Sequence, residues 1–215
     1  MRSVLQATDL VCGYGKIPVI GVLNFSVHAN DVLIFVGPNG VGKTTLARTL
    51  ATLLPPLRGK ITFNGVDITK HRKDIYYVPE TVDLPLELRV IDYLRLVPYL
   101  YMKPVERNEV EKALETVGLT HAQKARLGEL SMGQRRRSML ATTLLVKAPI
   151  TIIDDPVNYL DEYASEYIFP EVLENLSKMG LHVIITLRQE PRYKTDTSKV
   201  IDLTNYSYMY KKRSA

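Results

Sequence analysis

Cysteine is nearly absent from this chain, and its scarcity narrows the classes of protein to consider. Cys12 is the one cysteine among 215 residues, so a disulfide within the chain is impossible and a disulfide-stapled secreted domain is excluded. The four histidines are far apart in the sequence, which disfavours a metal site built from them. We therefore expect a protein of a reducing, cytoplasmic compartment.

Long apolar stretches are also missing. No run approaches the roughly 18 apolar residues of a membrane-spanning helix, and the first ten residues, MRSVLQATDL, lack the apolar core of a signal peptide. We expect any attachment to a membrane to be made through a partner. The hydrophobic content of 46% is nevertheless sufficient for one compact domain with a real core.

A strong charge bias is absent as well. The net charge of +5 and the isoelectric point near 9.2 leave nucleic acid or an anionic membrane open as partners. The basic residues are spread out except at positions 135–137 and 211–213. We favour ordinary surface lysine as the explanation, expect no nucleic-acid partner, and expect arginines 135–137 on a solvated helix face.

Strands and helices alternate through most of the chain. Short apolar runs predict buried strands at 32–36, 75–79, 150–154 and 182–186, and residues 3–28 are β-rich. A hairpin is predicted around Asn64-Gly65, and helical spacing dominates 87–127, 132–146 and 162–179. Residues 199–211 suggest a terminal β segment with Tyr206, Tyr208 and Tyr210 on one face. The pattern predicts an α/β fold with a largely parallel sheet covered on both faces.

The segment after the apolar run 32–36 fits a phosphate-binding loop in full. Its residues are Gly37, Pro38, Asn39, Gly40, Val41, Gly42, Lys43 and Thr44, matching G-x-x-x-x-G-K-[ST] between a strand and a helix. Backbone N–H groups of such a loop point at the phosphates of a nucleotide. We expect Lys43 to reach the β- and γ-phosphates and the Thr44 hydroxyl to hold Mg²⁺.

A second buried strand, ITIID, ends in two adjacent carboxylates. Asp154 closes this strand, where P-loop nucleotidases place their second Mg²⁺ contact. Taken alone, two acids after a strand are also typical of a turn. Together with the phosphate-binding loop they favour a magnesium site at Asp154.

Other motifs resemble those of the ATP-binding cassette (ABC) ATPases. The segment LSMGQ at 130–134 resembles the family's LSGGQ signature, with Met132 in place of a glycine. Tyr14 lies where the family stacks a ring on adenine, YYVPE ends in Glu80 at the Q-loop position, and NYLD at 158–161 resembles the D-loop. The resemblance covers nearly the whole chain, and its finer details are most similar to ATPase subunits of ABC-2-type exporters.

This resemblance implies a concrete architecture. It implies a single ABC ATPase domain over residues 1–215, namely a P-loop core with an N-terminal antiparallel β subdomain and an inserted helical lobe at about 84–135. It implies a head-to-tail dimer that encloses ATP and Mg²⁺, bound to a separate membrane permease at the inner face of the membrane. The implied nucleotide contacts are Tyr14, residues 37–45 including Thr45, and Ser131, Gly133 and Gln134; the implied metal contacts are Thr44, Asp154 and Glu80.

Three positions depart from the family pattern. Asp155 stands where a glutamate usually acts on the attacking water, Glu80 replaces a glutamine, and Leu187 replaces the switch histidine. Shortening an acid by one methylene withdraws its carboxylate by about 1.5 Å, and a misplacement of that size can cost on the order of 10²-fold in rate. We expect binding of ATP with slow hydrolysis, with Lys43, Glu80 and Asp155 as the catalytic set and Arg188 as one candidate replacement for the histidine.

The sequence leaves several alternatives open. A heterodimer, in which LSMGQ completes a partner's competent site, is preferred to a homodimer with two weakened sites. A non-transporting ABC ATPase acting on a nucleoprotein, and a regulatory ATP-binding module, are the alternatives to a transport subunit. The transported substrate and its direction are not encoded in recognisable residues.

Overall fold

The computed structural model describes residues 3–81, 83–192 and 194–208, which form two β-sheets and five α-helices. The strands are β1 Val4–Tyr14, β2 Ile17–His28, β3 Val32–Val36, β4 Arg58–Phe63, β5 Val66–Asp67, β6 Ile75–Val78, β7 Ile150–Asp154, β8 His182–Leu187 and β9 Ser198–Asp202. The helices are α1 Lys43–Leu50, α2 Val90–Leu100, α3 Arg107–Thr116, α4 Met132–Val146 and α5 Phe169–Lys178.

A parallel sheet in the order β6-β7-β8-β3-β9 forms the centre of the fold. Every residue of β3, β7 and β8 is buried, as the short apolar runs predicted for strands covered on both faces. Successive side chains enter different layers: Ile34 packs into the core shared with α2–α5, and Phe35 into the core shared with α1 and the second sheet. The carboxyl ends of β3, β7 and β8 therefore meet at one edge.

The second sheet is antiparallel, in the order β2-β1-β4-β5. Its β4–β5 hairpin turns at Asn64 and Gly65, where φ is +52° and +80°, as a two-residue turn between twisted strands favours. Both the parallel core and the antiparallel N-terminal sheet confirm the predicted α/β architecture.

Helices α2, α3 and α4 pack on one another beside the parallel sheet. Helix α3 begins with a capping box between Glu106 and Glu109, and α4 begins with one between Ser131 and Gln134. Such reciprocal bonds satisfy backbone N–H groups that a helix start otherwise leaves unpaired. They fix where α4, and with it the LSMGQ segment, begins.

One local prediction was wrong, and one short element was not predicted. The predicted terminal β segment ends at Asp202, and Leu203–Tyr206 forms a 3₁₀ turn capped by Asp202, so Tyr206 and Tyr208 do not share the face of a strand; Tyr210 lies outside the described residues. Residues 68–74, for which no element was predicted, form another 3₁₀ segment, with Asp67 accepting from the Thr69 N–H. In both places an Asp side chain caps the backbone, and this local bond favours a turn over a strand.

Within the described parts of the chain, no helix has both the length and the apolar character needed to cross a membrane.

Candidate nucleotide site

The phosphate-binding loop, residues 37–45, leads from the carboxyl end of β3 into α1. Gly42 precedes the first helical residue and has φ +114°, a conformation that L side chains rarely adopt. A Cβ on Gly42 would lie 2.6 Å from Cγ1 of Ile20, so the loop lies directly against β2. Pro38, Asn39 and Gly40 are exposed, whereas the Val41 side chain is buried in the core. Val41 can therefore meet a ligand only through its backbone.

The Lys43 side chain folds back over its own loop. Its ammonium donates to the carbonyl oxygens of Gly37 at 2.8 Å and Pro38 at 3.2 Å. Burial lowers the pKa of Lys43, while the charges of Asp155 and Asp154 act to raise it and that of Arg188 to lower it further. The Lys43 ammonium is thus close enough to interact with both carboxylates at the end of β7. This is the position expected of a P-loop lysine that faces a metal and phosphate site.

The remaining predicted contacts of this loop lie along α1. Thr44 is partly exposed in the first turn of α1, whereas Thr45 is buried. Tyr14, at the end of β1, is exposed and near α1. The pKa of Arg48 on α1 is raised: its burial acts to lower it, and hydrogen bonds with the Tyr77 and Tyr14 hydroxyls outweigh that effect. Tyr14 is therefore exposed and close to Arg48 on α1, the helix that follows the loop.

Asp154 is held at the end of β7 by two hydroxyl groups. Thr186 Oγ1 donates to Asp154 Oδ1 at 2.5 Å, and the Tyr77 hydroxyl donates to Oδ2 at 3.3 Å. The side chain is buried, and among the described residues no lysine or arginine forms an ion pair with its carboxylate. Buried charges in proteins are hydrogen-bonded and either paired or bound to a metal, and Asp154 has the hydrogen bonds without the ion pair.

Asp155 has a left-handed backbone conformation, and its two carboxylate oxygens have different surroundings. Its φ is +42°, and its N–H donates to Thr186 at both the backbone oxygen, 3.1 Å, and Oγ1, 3.0 Å. Oδ2 accepts from Arg188 Nε at 3.0 Å, whereas Oδ1 is buried and accepts no hydrogen bond from the described residues. Buried acceptors are normally hydrogen-bonded, so Oδ1 is suited to accept from a further donor.

Glu80 lies beside the same cluster. Its Oε1 accepts from Asn158 Nδ2 at 2.6 Å and lies 3.7 Å from Arg188 Nη2. The carboxylate is therefore bonded to the D-loop segment 158–161 and close to the switch position, Thr186–Arg188. The carboxylates of Glu80, Asp154 and Asp155 all lie close enough to act on the charge of Lys43.

At the end of β8, one side chain points into the core and the next points into the cleft. Leu187 is 2% exposed and packs with the core that α2–α5 share. Arg188 follows at the surface and contacts Asp155 and Glu80. Alternation along the strand thus turns the apolar residue inward and presents the guanidinium to the site.

Arginines 135–137 do not form the solvated helix face that was expected. Arg136 is 2% exposed, and its guanidinium donates to five carbonyl oxygens, those of Pro79, Glu80, Asp154, Asp155 and Pro156, at 2.6–3.4 Å. Arg135 binds the carbonyls of Leu127 and Gly128, and Arg137 those of Val117 and Gly118. The expectation failed because main-chain acceptors, which no residue pattern reveals, satisfy the guanidinium groups.

Arg136 is the functional residue that the sequence did not reveal. Burial lowers its pKa, and the charges of Asp155, Asp154 and Glu80 oppose that shift. Its bonds connect α4 with the main chain on either side of Asp154 and Glu80. The only sequence clue was the helical period, which places residue 136 on the same face as the buried Met139 and Leu140.

The start of α4 carries the signature segment, residues 130–134. Ser131 Oγ accepts from the Gln134 N–H at 3.2 Å, and Gln134 Oε1 accepts from the Ser131 N–H at 3.0 Å. A Cβ on Gly133 would lie 2.9 Å from the carbonyl oxygen of Tyr159, so the glycine permits close packing on the D-loop segment. Met132 points into solvent. Ser131 and Met132 are exposed and open to a ligand or partner.

A family model described as ABC transporter matches residues 20–158, which is more than half of the chain. The chain belongs to the ABC transporter ATP-binding family. The matched range includes the phosphate-binding loop and the signature segment, and an ABC ATP-binding subunit of this kind is an ATPase that works with a membrane permease.

Individual relatives agree with that assignment. The chain is 31% identical over 198 residues to the "Cytochrome c biogenesis ATP-binding export protein CcmA 1" of Cupriavidus metallidurans, covering 90% of this chain and 95% of that one. It is 33% identical over 165 residues to the "Bacitracin transport ATP-binding protein BcrA" of Bacillus licheniformis, covering 75% and 54%. A solved "Putative ABC transporter (ATP-binding protein)" from Pyrococcus furiosus superposes with a TM-score of 0.89 at 42% identity, covering 95% of this chain and 99% of that one.

Proposed function

We propose that this ABC subunit binds Mg-ATP on residues 37–45 and hydrolyses it slowly on behalf of a separate membrane permease. The observation that carries the slow step is the state of Asp155. One carboxylate oxygen is paired with Arg188 and the other is buried without a partner. The carboxylate is thus withdrawn and oriented by the protein, where fast hydrolysis needs it free to meet the attacking water.

The roles that we assign follow from the geometry. The N–H groups of residues 37–45 and the Lys43 ammonium hold the β- and γ-phosphates, and Tyr14 offers its ring to the base. The unsatisfied Oδ1 of Asp155 accepts a proton from the attacking water and orients it. Arg136 holds the main chain around Asp154 and Asp155 in place during this step.

The residues present fit a magnesium ion. Asp154 supplies a buried carboxylate without an ion-pair partner among the described residues, and the Thr44 hydroxyl and Glu80 supply further oxygen donors. Oxygen ligands of this kind suit Mg²⁺, which also takes phosphate oxygens and water. When bound, the ion neutralises charge on the transferred phosphoryl group.

A groove beside the signature segment is suited to the permease. Its volume is about 360 Å³, and its lining combines Glu80 and Asp83 with Leu84, Leu86, Met132 and Met139. We propose that this groove, between the core and a helical lobe over about residues 84–135 of a single ABC ATPase domain (1–215), receives a short helix of the permease. The subunit would then lie at the inner face of the membrane without entering it, and the export and transport functions in the relatives' names support this role.

The dimer partner is the least constrained part of the proposal. An exposed signature segment beside a withdrawn catalytic acid is suited to an asymmetric pair, so we prefer a heterodimer with a second, competent ATPase to a homodimer. In either case, Ser131, Gly133 and Gln134 would face the phosphates bound by the partner.

The test combines nucleotide titration with steady-state phosphate release by the purified full chain. We expect saturable binding of Mg-ATP with little turnover, and faster turnover once a second ATPase that co-purifies with the chain is added. Brisk turnover by the chain alone would contradict the slow step and make the homodimer the working assembly.

A further inference from the structure

The side chain of Thr186, one residue before the end of β8, contacts both of the adjacent acids at the end of β7. Its Oγ1 donates to Asp154 Oδ1 at 2.5 Å and accepts from the Asp155 N–H at 3.0 Å. The same N–H lies 3.1 Å from the main-chain oxygen of Thr186. One hydroxyl therefore connects the carboxylate proposed as a magnesium ligand with the backbone of the proposed catalytic acid.

The neighbours of this hydroxyl determine where its proton points. A threonine hydroxyl has one proton to donate, a backbone N–H can only donate, and an ionised carboxylate can only accept. The proton of Thr186 Oγ1 therefore lies toward Asp154, and a lone pair lies toward the Asp155 N–H. Branching at Cβ restricts rotation of the threonine side chain, and Thr186 is fully buried, away from solvent that could replace its bonds. The hydroxyl is thus a fixed reference for both acids.

The second hydroxyl at Asp154 holds the carboxylate less closely. The Tyr77 hydroxyl donates to Oδ2 at 3.3 Å, which is longer than the roughly 2.5–3.0 Å usual between two hydroxyl or carboxyl oxygens. A carboxylate has about four lone-pair sites, so these two hydrogen bonds leave sites open for a metal ion. Because the Thr186 contact is the shorter one, it contributes more to the direction in which those open sites face.

We propose that Thr186 is a positioning residue that directs Asp154 toward the metal ion and fixes Asp155 relative to it. Hydrogen-bond partners behind a metal ligand orient that ligand and tune the affinity of the site for its metal. Thr186 acts in this way on Asp154, and its bond to the Asp155 N–H extends the effect to the acid that orients the attacking water. The inference rests on the proposed function, because it assigns a role within the same site.

The experiment removes the hydroxyl but keeps the shape of the side chain. Thr186→Val replaces the hydroxyl with a methyl group, whereas Thr186→Ser keeps the hydroxyl. Thr151→Val is the matched control, because Thr151 is equally buried on the neighbouring strand β7, where its hydroxyl donates to the Ala148 carbonyl at 3.2 Å. For each full-length variant, ATP affinity is titrated with Mg²⁺ and with EDTA. Single-turnover hydrolysis at saturating Mg²⁺ and the melting temperature are also measured.

We expect Thr186→Val to lower the factor by which Mg²⁺ strengthens ATP binding about 10-fold, or to abolish it. The ATP affinity in EDTA should equal that of the wild type, because the phosphate-binding loop is unchanged. Hydrolysis at saturating Mg²⁺ should also fall about 10-fold, since Asp155 loses one of the two acceptors that hold its N–H. Thr186→Ser and Thr151→Val should both keep the wild-type factor and rate.

Other results would overturn the inference. An unchanged Mg²⁺ factor in Thr186→Val would show that the hydroxyl does not position Asp154, and a wild-type rate at saturating Mg²⁺ would exclude its effect on Asp155. Equal losses in Thr186→Ser or Thr151→Val, or a drop in melting temperature that accounts for the loss, would make Thr186 a structural residue.

Two results with the wild type separate this inference from the proposed function. ATP binding that does not depend on Mg²⁺ would remove the ligand role of Asp154, so the inference would fail while nucleotide binding stood. If the wild type bound no ATP with or without Mg²⁺, the proposed function would fail, and the inference would fail with it.

Discussion

At the scale of single residues, Asp155 shows how a backbone conformation selects a side chain. Its φ of +42° is a conformation that Asp and Asn tolerate better than longer residues. The same bend aims its N–H at Thr186 and its carboxylate at Arg188. A shorter acid therefore fits the backbone here, at the expense of reach toward the water it must orient.

Replacing Asp155 with Glu tests whether the backbone conformation is accommodated at the expense of the reach of the carboxylate. We expect Asp155→Glu to raise turnover about 10- to 100-fold, because the added methylene restores the reach of the carboxylate, and to lower stability by about 1 kcal/mol because of the left-handed backbone. Asp155→Asn, which keeps the length but cannot take a proton, should reduce turnover below that of the wild type. Phosphate release and urea unfolding measure both effects, and a glutamate variant no faster than the wild type would contradict the argument.

Two glycines of the phosphate-binding loop allow backbone strain to be distinguished from steric crowding by an added side chain. Gly40 and Gly42 both have positive φ, but an added Cβ would meet nothing within 4 Å at Gly40 and Ile20 at 2.6 Å at Gly42. We expect Gly42→Ala to destabilise the protein by about 1–3 kcal/mol more than Gly40→Ala, since only Gly42→Ala overpacks the core. The free energy of unfolding in urea measures the difference, and equal losses would show that the loop moves to accommodate the methyl group.

At the scale of elements, α4 is attached to the catalytic edge by one side chain. Arg136 bonds to main-chain oxygens after β6 and β7, and Gly133 lies against the D-loop segment. The signature segment, the Q-loop position and Asp154 are therefore joined by direct contacts. In the dimer that we propose, a displacement of the start of α4 by the partner would act on the main chain around Asp154 through these contacts.

Replacing Arg136 tests this attachment. We expect Arg136→Met to cost about 3–5 kcal/mol, because it leaves five main-chain carbonyl oxygens without their donor. Arg135→Met is the control, and it should cost about 1 kcal/mol, since Arg135 is more exposed and bonds only to Leu127 and Gly128. Urea unfolding of both variants decides the matter, and similar losses would mean that the burial of Arg136 contributes little.

At the scale of the whole molecule, the proposed contacts divide into two groups. Lys43 and Asp155 lie at the carboxyl edge of the parallel sheet, whereas Ser131 is exposed at the start of α4, where its side chain accepts a bond from Gln134. In the head-to-tail dimer that we propose, each site joins the loop of one subunit to the signature segment of the other.

Mixing two inactive variants tests that division. Lys43→Ala should disable the loop, and Gly133→Asp should disable the signature segment, because its Cβ would meet the Tyr159 carbonyl at 2.9 Å. If each site joins both subunits, a hybrid dimer contains one site with an intact loop and an intact signature segment. We therefore expect the mixture to recover about a quarter of wild-type turnover from random pairing, measured as phosphate release. No recovery would mean that two copies of this chain do not share a site, and would leave the pairing with a second ATPase as the working assembly.

The sequence revealed the elements whose cause is local and missed those whose cause is distant. The run VLIFV, the glycines of the loop and the helix predicted over 132–146 each carry their reason within a few residues, and the structure agrees with them. Arg136 could not be placed, because its acceptors are carbonyls up to 57 positions away and every residue carries a carbonyl. The contact of Arg188 with Asp155 likewise depends on how β7 and β8 end side by side.

The pairing of β7 with β8 at their carboxyl ends has a consequence for hydrogen exchange at the site. The Asp155 N–H extends the ladder one step beyond Asp154 and is shared between two oxygens of Thr186, so this proton exchanges with solvent only when the two strand ends part. The exchange rate of the Asp155 N–H therefore reports how often the two strand ends open. Because Arg188 follows β8 directly and bonds to the Asp155 carboxylate, we expect the same opening to separate Asp155 from its guanidinium partner.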